Sequence, residues 1–216
     1  MSDATNPQRD QAERMLRVMQ SQQRMTQSRL VRSYVVLLVV WAAAWAIGFG
    51  ALYLSAVPDP LVPAAAAWPV FAACIVLAIV WSITTGVRSA SSGIRGASRI
   101  QGMLYGWSWT VAMVGASILL AGIQRTGLPP ETAAVLYPGM FALVVGILYL
   151  GGGALWRSLP QYVLGVVFIA VAGIATFLGT PVHYLVYAVA GPIAMLVVAV
   201  LLGRGVLPLE PRRDTA

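Results

Sequence analysis

The sequence predicts an all-α membrane protein of six transmembrane helices, with both ends in the cytoplasm and a cytoplasmic helix ahead of the first span. Three observations predict it. Six apolar runs, at residues 34–57, 61–85, 103–123, 132–154, 162–179 and 182–203, come close to the roughly 20 residues that cross a bilayer core. None of them holds an acidic or basic residue in its middle. The Arg residues gather in alternate connections.

Composition points the same way. Hydrophobic residues form 59% of the chain and charged residues 10%, whereas a soluble domain carries about 25% charged residues. The runs are continuous, so they read as helices that satisfy their own backbone groups in lipid. A barrel would need shorter, alternating segments. The expected organisation is a basic helical arm at 1–33, a transmembrane domain at 34–204 and a cytoplasmic tail at 205–216.

The arm comes first. Residues 8–32 lack Pro and Gly, and Ala12, Leu16, Met19, Gln23, Thr26 and Leu30 recur at spacings of four and three, which puts them on one helical seam. Arg14, Arg17 and Arg24 lie off that seam. They are candidates for contact with lipid headgroups, at about 1 kcal/mol per basic group near an anionic surface, or with a protein partner. A solvated leader that only fixes orientation is the third reading.

The first span carries Ala42, Ala46 and Gly50 at every fourth position, beside a stripe of Trp41 and Trp45. Small residues at this spacing let helices approach closely. The run before Leu54-Ser55-Ala56 is too long, and the leader too charged, for a removable signal peptide. Pro58-Asp59-Pro60 turns the chain into the second span, which contains Pro69 and Cys74. A lone Cys gives no disulfide framework and reads as a small apolar packing residue.

A basic connection follows at 86–101. Were it one helix, Arg88, Arg95 and Arg99 would share a face. Gly93 and Gly96 favour a flexible turn instead. These three arginines are further candidates for headgroup or partner contact. The third span opens with Gly102 and Gly106, another close-approach motif. Thr84, Thr85, Ser108, Thr110 and Ser117 would line a small channel, if one exists.

The fourth span holds Pro138-Gly139 and the sixth Gly191-Pro192. Pro removes one backbone hydrogen bond and bends a helix, so Pro138, Gly139, Gly191 and Pro192 are candidate hinges, and broken helices frame substrate sites in transporters. The last two spans meet at the Thr180-Pro181 corner, where Thr180 is placed to cap and Pro181 to start a helix. His183, the only His, follows at the mouth of the sixth span as an interfacial polar residue or a pH sensor. Gly50–Ser55 and Gly146–Gly151 share a short pattern, which would pair the first span with the fourth as a repeat.

Orientation follows from Arg alone, since the chain has no Lys. Arg9, Arg14, Arg17, Arg24, Arg29, Arg32, Arg88, Arg95, Arg99, Arg157, Arg204, Arg212 and Arg213 fall on one side, and only Arg125 on the other. Basic loops stay inside, so both ends are expected in the cytoplasm. The net charge of +7 then reflects topology and not nucleic-acid binding. The all-Arg bias fits a GC-rich bacterial genome, and the expected location is a bacterial cytoplasmic membrane.

Enzyme chemistry is not expected. The acids Asp3, Asp10, Glu13, Asp59, Glu131, Glu210 and Asp214 all lie in loops or tails, and no nucleophile–base pair, metal-ligand set or phosphate-binding loop can be assembled. No cofactor is implied. Membrane lipids are the expected partners, together with a cytoplasmic protein subunit or a second copy of the chain.

Six spans, a cytoplasmic N-terminal helix and a basic loop after the second span resemble the permease subunits of ABC-2-type exporters. The run at 40–54, VWAAAWAIGFGALYL, also resembles the first span of small actinobacterial membrane proteins. The corner between the last two spans is shorter than the external segment such permeases carry there. The resemblance implies a permease-like transport component acting with a separate ATPase. A non-transporting membrane scaffold or regulator, and a small channel or secondary carrier, stand as alternatives.

Overall fold

The computed structural model describes residues 7–90 and 97–207. Six helices fill them: α1 (Pro7–Ala56), α2 (Ala64–Ala90), α3 (Ala97–Gln124), α4 (Pro130–Leu155), α5 (Leu159–Leu178) and α6 (Val182–Gly203). Each contains a segment long and apolar enough to cross a membrane, from Leu30–Ala56 in α1 to Val182–Gly203 in α6. The chain is a polytopic membrane protein, and the exposed apolar side chains of these six segments form the surface that a bilayer would cover.

The arm and the first span form one unbroken helix of 50 residues. At 1.5 Å per residue α1 is about 75 Å long, and about 35 Å of it runs beyond the apolar segment. No Gly or Pro interrupts Gln8–Ile47 in the sequence, so nothing in its chemistry breaks the helix at the membrane surface. Met15, Val18 and Met25 are exposed along the projecting part. The side chains of most of the seam, Leu16, Met19, Gln23 and Thr26 among them, lie outside the described residues.

The helices pack in the neighbour order α2–α1–α6–α5–α4–α3, with α4 against α5 and α1 against α6 the most extensive pairs. Alternate connections fall at opposite ends of the bundle. Ala56, Glu131, Thr180 and Pro181 line one groove at the end remote from the arm. Ser28, Val31, Arg32, Leu202 and Gly205 line another at the arm end. The buried core runs along α1 and α6 through Leu38, Ala42, Trp45, Phe49, Leu52, Tyr184, Tyr187, Met195 and Leu202, and is completed by Leu164, Phe168 and Ala175 of α5.

Glycine sets the closest crossing, but at positions other than the expected ones. A Cβ on Gly165 of α5 would lie 2.6 Å from the Leu150 backbone nitrogen, and one on Gly153 of α4 would lie 2.6 Å from that of Tyr162. Gly146 is closed off in the same way by the backbone of Gly165 and Ile169. Gly102 and Gly106, by contrast, face open space, as does Gly50. The α1 face that packs is also shifted: Ala42 is buried, Ala46 is exposed, and the contact is made by Trp45 and Phe49 instead. Bulky rings fill the gap between α1 and α6, so no small-residue groove is needed there. Gly50 is open and Gly146 closed, so the two halves of the proposed repeat do not share an environment.

Two connections differ from expectation. Helical structure continues through Arg88 in α2 and resumes before Arg99 in α3. These two arginines therefore sit on different helices and share no single helical face; Arg95 lies outside the described residues. At the α5–α6 corner, Pro181 occupies the position before α6 and no side chain caps the helix. Gly179 closes α5 at φ 65°, ψ −173°, a conformation open essentially to glycine alone.

Candidate functional site

The two internal prolines, each within a continuous helix, border one buried cluster. Pro138 has no N–H, so the carbonyl of Ala134 loses its partner within α4. His183 replaces it: its Nε2 lies 3.0 Å from the Ala134 oxygen. The other ring nitrogen, Nδ1, lies 3.1 Å from the Gly179 oxygen, which also accepts the His183 backbone N–H at 2.8 Å. The His183 side chain is 0% exposed. Its ring is enclosed by protein and stitches the start of α6 to the Ala134 carbonyl in α4 and to the end of α5.

One turn further along α6, Tyr187 is also fully buried. Its ring meets His183 edge to face at 6.4 Å, Trp45 at 6.2 Å and Phe49 at 5.0 Å between centroids. Its hydroxyl makes no hydrogen bond of good geometry, although the Thr176 hydroxyl lies within reach of a weak one. That hydroxyl lies close to Gly139 and the Thr176 hydroxyl: a Cβ on Gly139 would be 3.7 Å from the first and 3.0 Å from the second. Thr176 donates to Ala172 O in its own helix, at 2.8 Å. An unpaired buried hydroxyl costs stability, on the order of 1–3 kcal/mol.

The second proline joins the same cluster from the other side. Pro192 frees the carbonyl of Ala188 in α6. At Gly191 the Trp45 ring occupies the space a side chain would need, with ring carbons 2.6 and 2.8 Å from a Cβ built there. Trp45 in turn contacts Phe168 of α5 at 5.4 Å. Thus Pro138, Gly139, Gly191 and Pro192, predicted separately as hinges, are linked through His183, Tyr187 and Trp45. The pairing of His183 with the Ala134 carbonyl was not legible in the sequence. Pro138 announces an orphan carbonyl four residues earlier, but nothing in the sequence names its donor.

A second polar set ties α3 to the bundle. Tyr105 donates to Leu148 O at 2.7 Å and accepts from Gln161 Nε2 at 3.2 Å. Gln101 Nε2 reaches Leu155 O at 3.4 Å. The Trp156 ring packs edge-on to Tyr105 at 4.6 Å. On the other flank, Trp41 Nε1 donates to Ser82 Oγ on α2 at 3.0 Å.

Few of the remaining sequence candidates have side chains among the described residues. Arg14 and Arg17 are exposed on the projecting part of α1. Arg24, Arg88 and Arg99 are helical, but their side chains lie outside the described residues. Of the channel-lining set, Thr84, Ser108 and Ser117 turn their hydroxyls back to Trp81 O, Leu104 O and Met113 O within their own helices. Thr110 is exposed. On α3, Thr110 and Ser117 are seven residues apart and share a face, with Ser108 on the opposite one.

No family model, curated protein or solved structure matches this chain. The functional reading rests on the residues themselves.

Proposed function

We propose that this protein is the membrane-embedded, permease-like component of a transport system in a bacterial cytoplasmic membrane, with both ends inside and energy supplied by a separate ATPase chain. One observation carries the reading. Two spans that carry an internal proline, α4 at Pro138 and α6 at Pro192, border a shared buried cluster in which the Tyr187 hydroxyl makes no well-formed hydrogen bond. Broken helices around a polar site inside the bundle are the device by which transporters bind solute and move around it. An unpaired hydroxyl with a structural cost is a group held ready for a ligand.

Isolation from native membranes in mild detergent tests the reading. An ATP-hydrolysing chain should be recovered with the tagged protein, and recovery of the protein without one contradicts an ATP-driven permease.

A second reading, a scaffold or regulator that works through its arm, is favoured by the length of α1 beyond the membrane. Deleting residues 1–30 separates the two. Loss of all partner association supports the scaffold, and association that survives the deletion removes it.

A further inference from the structure

We propose that His183 is a proton-operated latch that ties the break in α4 to the α5–α6 corner. Each ring nitrogen faces a backbone carbonyl oxygen, Ala134 at 3.0 Å and Gly179 at 3.1 Å. A neutral imidazole carries one N–H, so it can donate to only one of them and turns a lone pair toward the other. With the proton on Nε2, the Ala134 carbonyl that Pro138 orphans is capped, and the contact with Gly179 is repulsive. With the proton on Nδ1, the orphan is left unpaired. Only the imidazolium donates to both. The step is simple proton binding: a proton from the solution adds to the free Nδ1 lone pair and no bond breaks. Closing the second contact draws the end of α5 and the start of α6 onto α4, so acidification tightens the latch and alkaline conditions loosen it.

The ring is enclosed, so the groups around it govern how readily it takes a proton. On α6 the ring faces Tyr184 at 3.8 Å between centroids and Tyr187 at 6.4 Å, and aromatic faces stabilise a nearby cation. On α4, Glu131 lies one turn ahead of Ala134, in the groove it shares with Thr180 and Pro181. Thr180 and Pro181 in that groove precede His183 in the chain. From α5 the facing groups are the Gly179 carbonyl and Thr176, neither of which titrates. From α1, Phe49 packs on Tyr184 and Tyr187, the two rings that His183 meets, and does not titrate. The other charges of this end, Asp59 and Arg125, sit in the turns before α2 and before α4. The latch does not depend on the transport reading.

Because His183 is the only histidine, nitrogen-15 resonance of histidine-labelled full-length protein in liposomes reads it without assignment. Between about pH 8 and about pH 5, Nε2 should remain protonated throughout and Nδ1 should gain a proton. A spectrum that stays unchanged over that range, neutral or charged, overturns the proposal. Hydrogen exchange supplies the second arm. After correction for the intrinsic rate, amides at the α5–α6 corner, 179–187, should exchange about fivefold more slowly at the acidic end, the factor carried by one ordinary hydrogen bond. His183→Gln keeps a donor near the Nε2 position but cannot titrate, so it should abolish the pH response. Retention of the wild-type response in His183→Gln also overturns the proposal.

Discussion

At the scale of single residues, the environment of each glycine and hydroxyl decides what a substitution does. Gly165→Ala would drive a methyl group into the backbone of α4. It should lower unfolding stability in mixed micelles by about 2 kcal/mol, in the range of overpacking. Gly106→Ala meets open space and should raise stability by about 0.5–1 kcal/mol, the helix-propensity difference. The reverse order would mean that α3, and not the α4–α5 crossing, is the close contact. Tyr187→Phe removes a hydroxyl with no well-formed hydrogen bond. Stability should hold or rise by about 1 kcal/mol, whereas transport by the reconstituted system should fall if the hydroxyl serves a ligand. A variant that is both less stable and fully active would contradict that assignment.

At the scale of elements, the apolar runs were legible and their partners were not. The sixth run, at 182–203, matches α6 residue for residue. The fourth and fifth fall within a few residues of α4 and α5. Length and hydropathy are properties of one segment, so the sequence carries them. Packing is a property of two segments. The motif Gly102/Gly106 has the right spacing for close approach but no helix against it, whereas Gly153 and Gly165 meet backbone from a different helix. The spacing rule describes a permitted contact and does not name the partner. Likewise Pro138 and Pro192 were visible as breaks, but the histidine that answers one and the tryptophan that covers the other are brought there by the fold. The same logic gives a prediction for α3, which packs extensively only on α4. Tyr105→Phe deletes its bond to Leu148 O. It should weaken that attachment by about 1 kcal/mol, the usual value for a hydrogen bond between membrane helices, and raise hydrogen exchange in 100–124 while leaving α6 unchanged.

For the whole molecule, the six spans and the Arg distribution give one account of topology. With the lone Cys74 replaced by Ser, single cysteines at Asp59 and Arg157 should react with a membrane-impermeant reagent from opposite sides, Arg157 from the side of the arm. Labelling of both from one side would contradict the alternation of spans. The central claim is that the cluster between the two proline breaks is the working site, opened in turn to each side of the membrane. Tyr187→Cys in the Cys74→Ser background tests it most directly, in right-side-out and inside-out vesicles carrying the full transport system. Reaction with the impermeant reagent from both sides is the result predicted; reaction from neither side, or from only one, contradicts it.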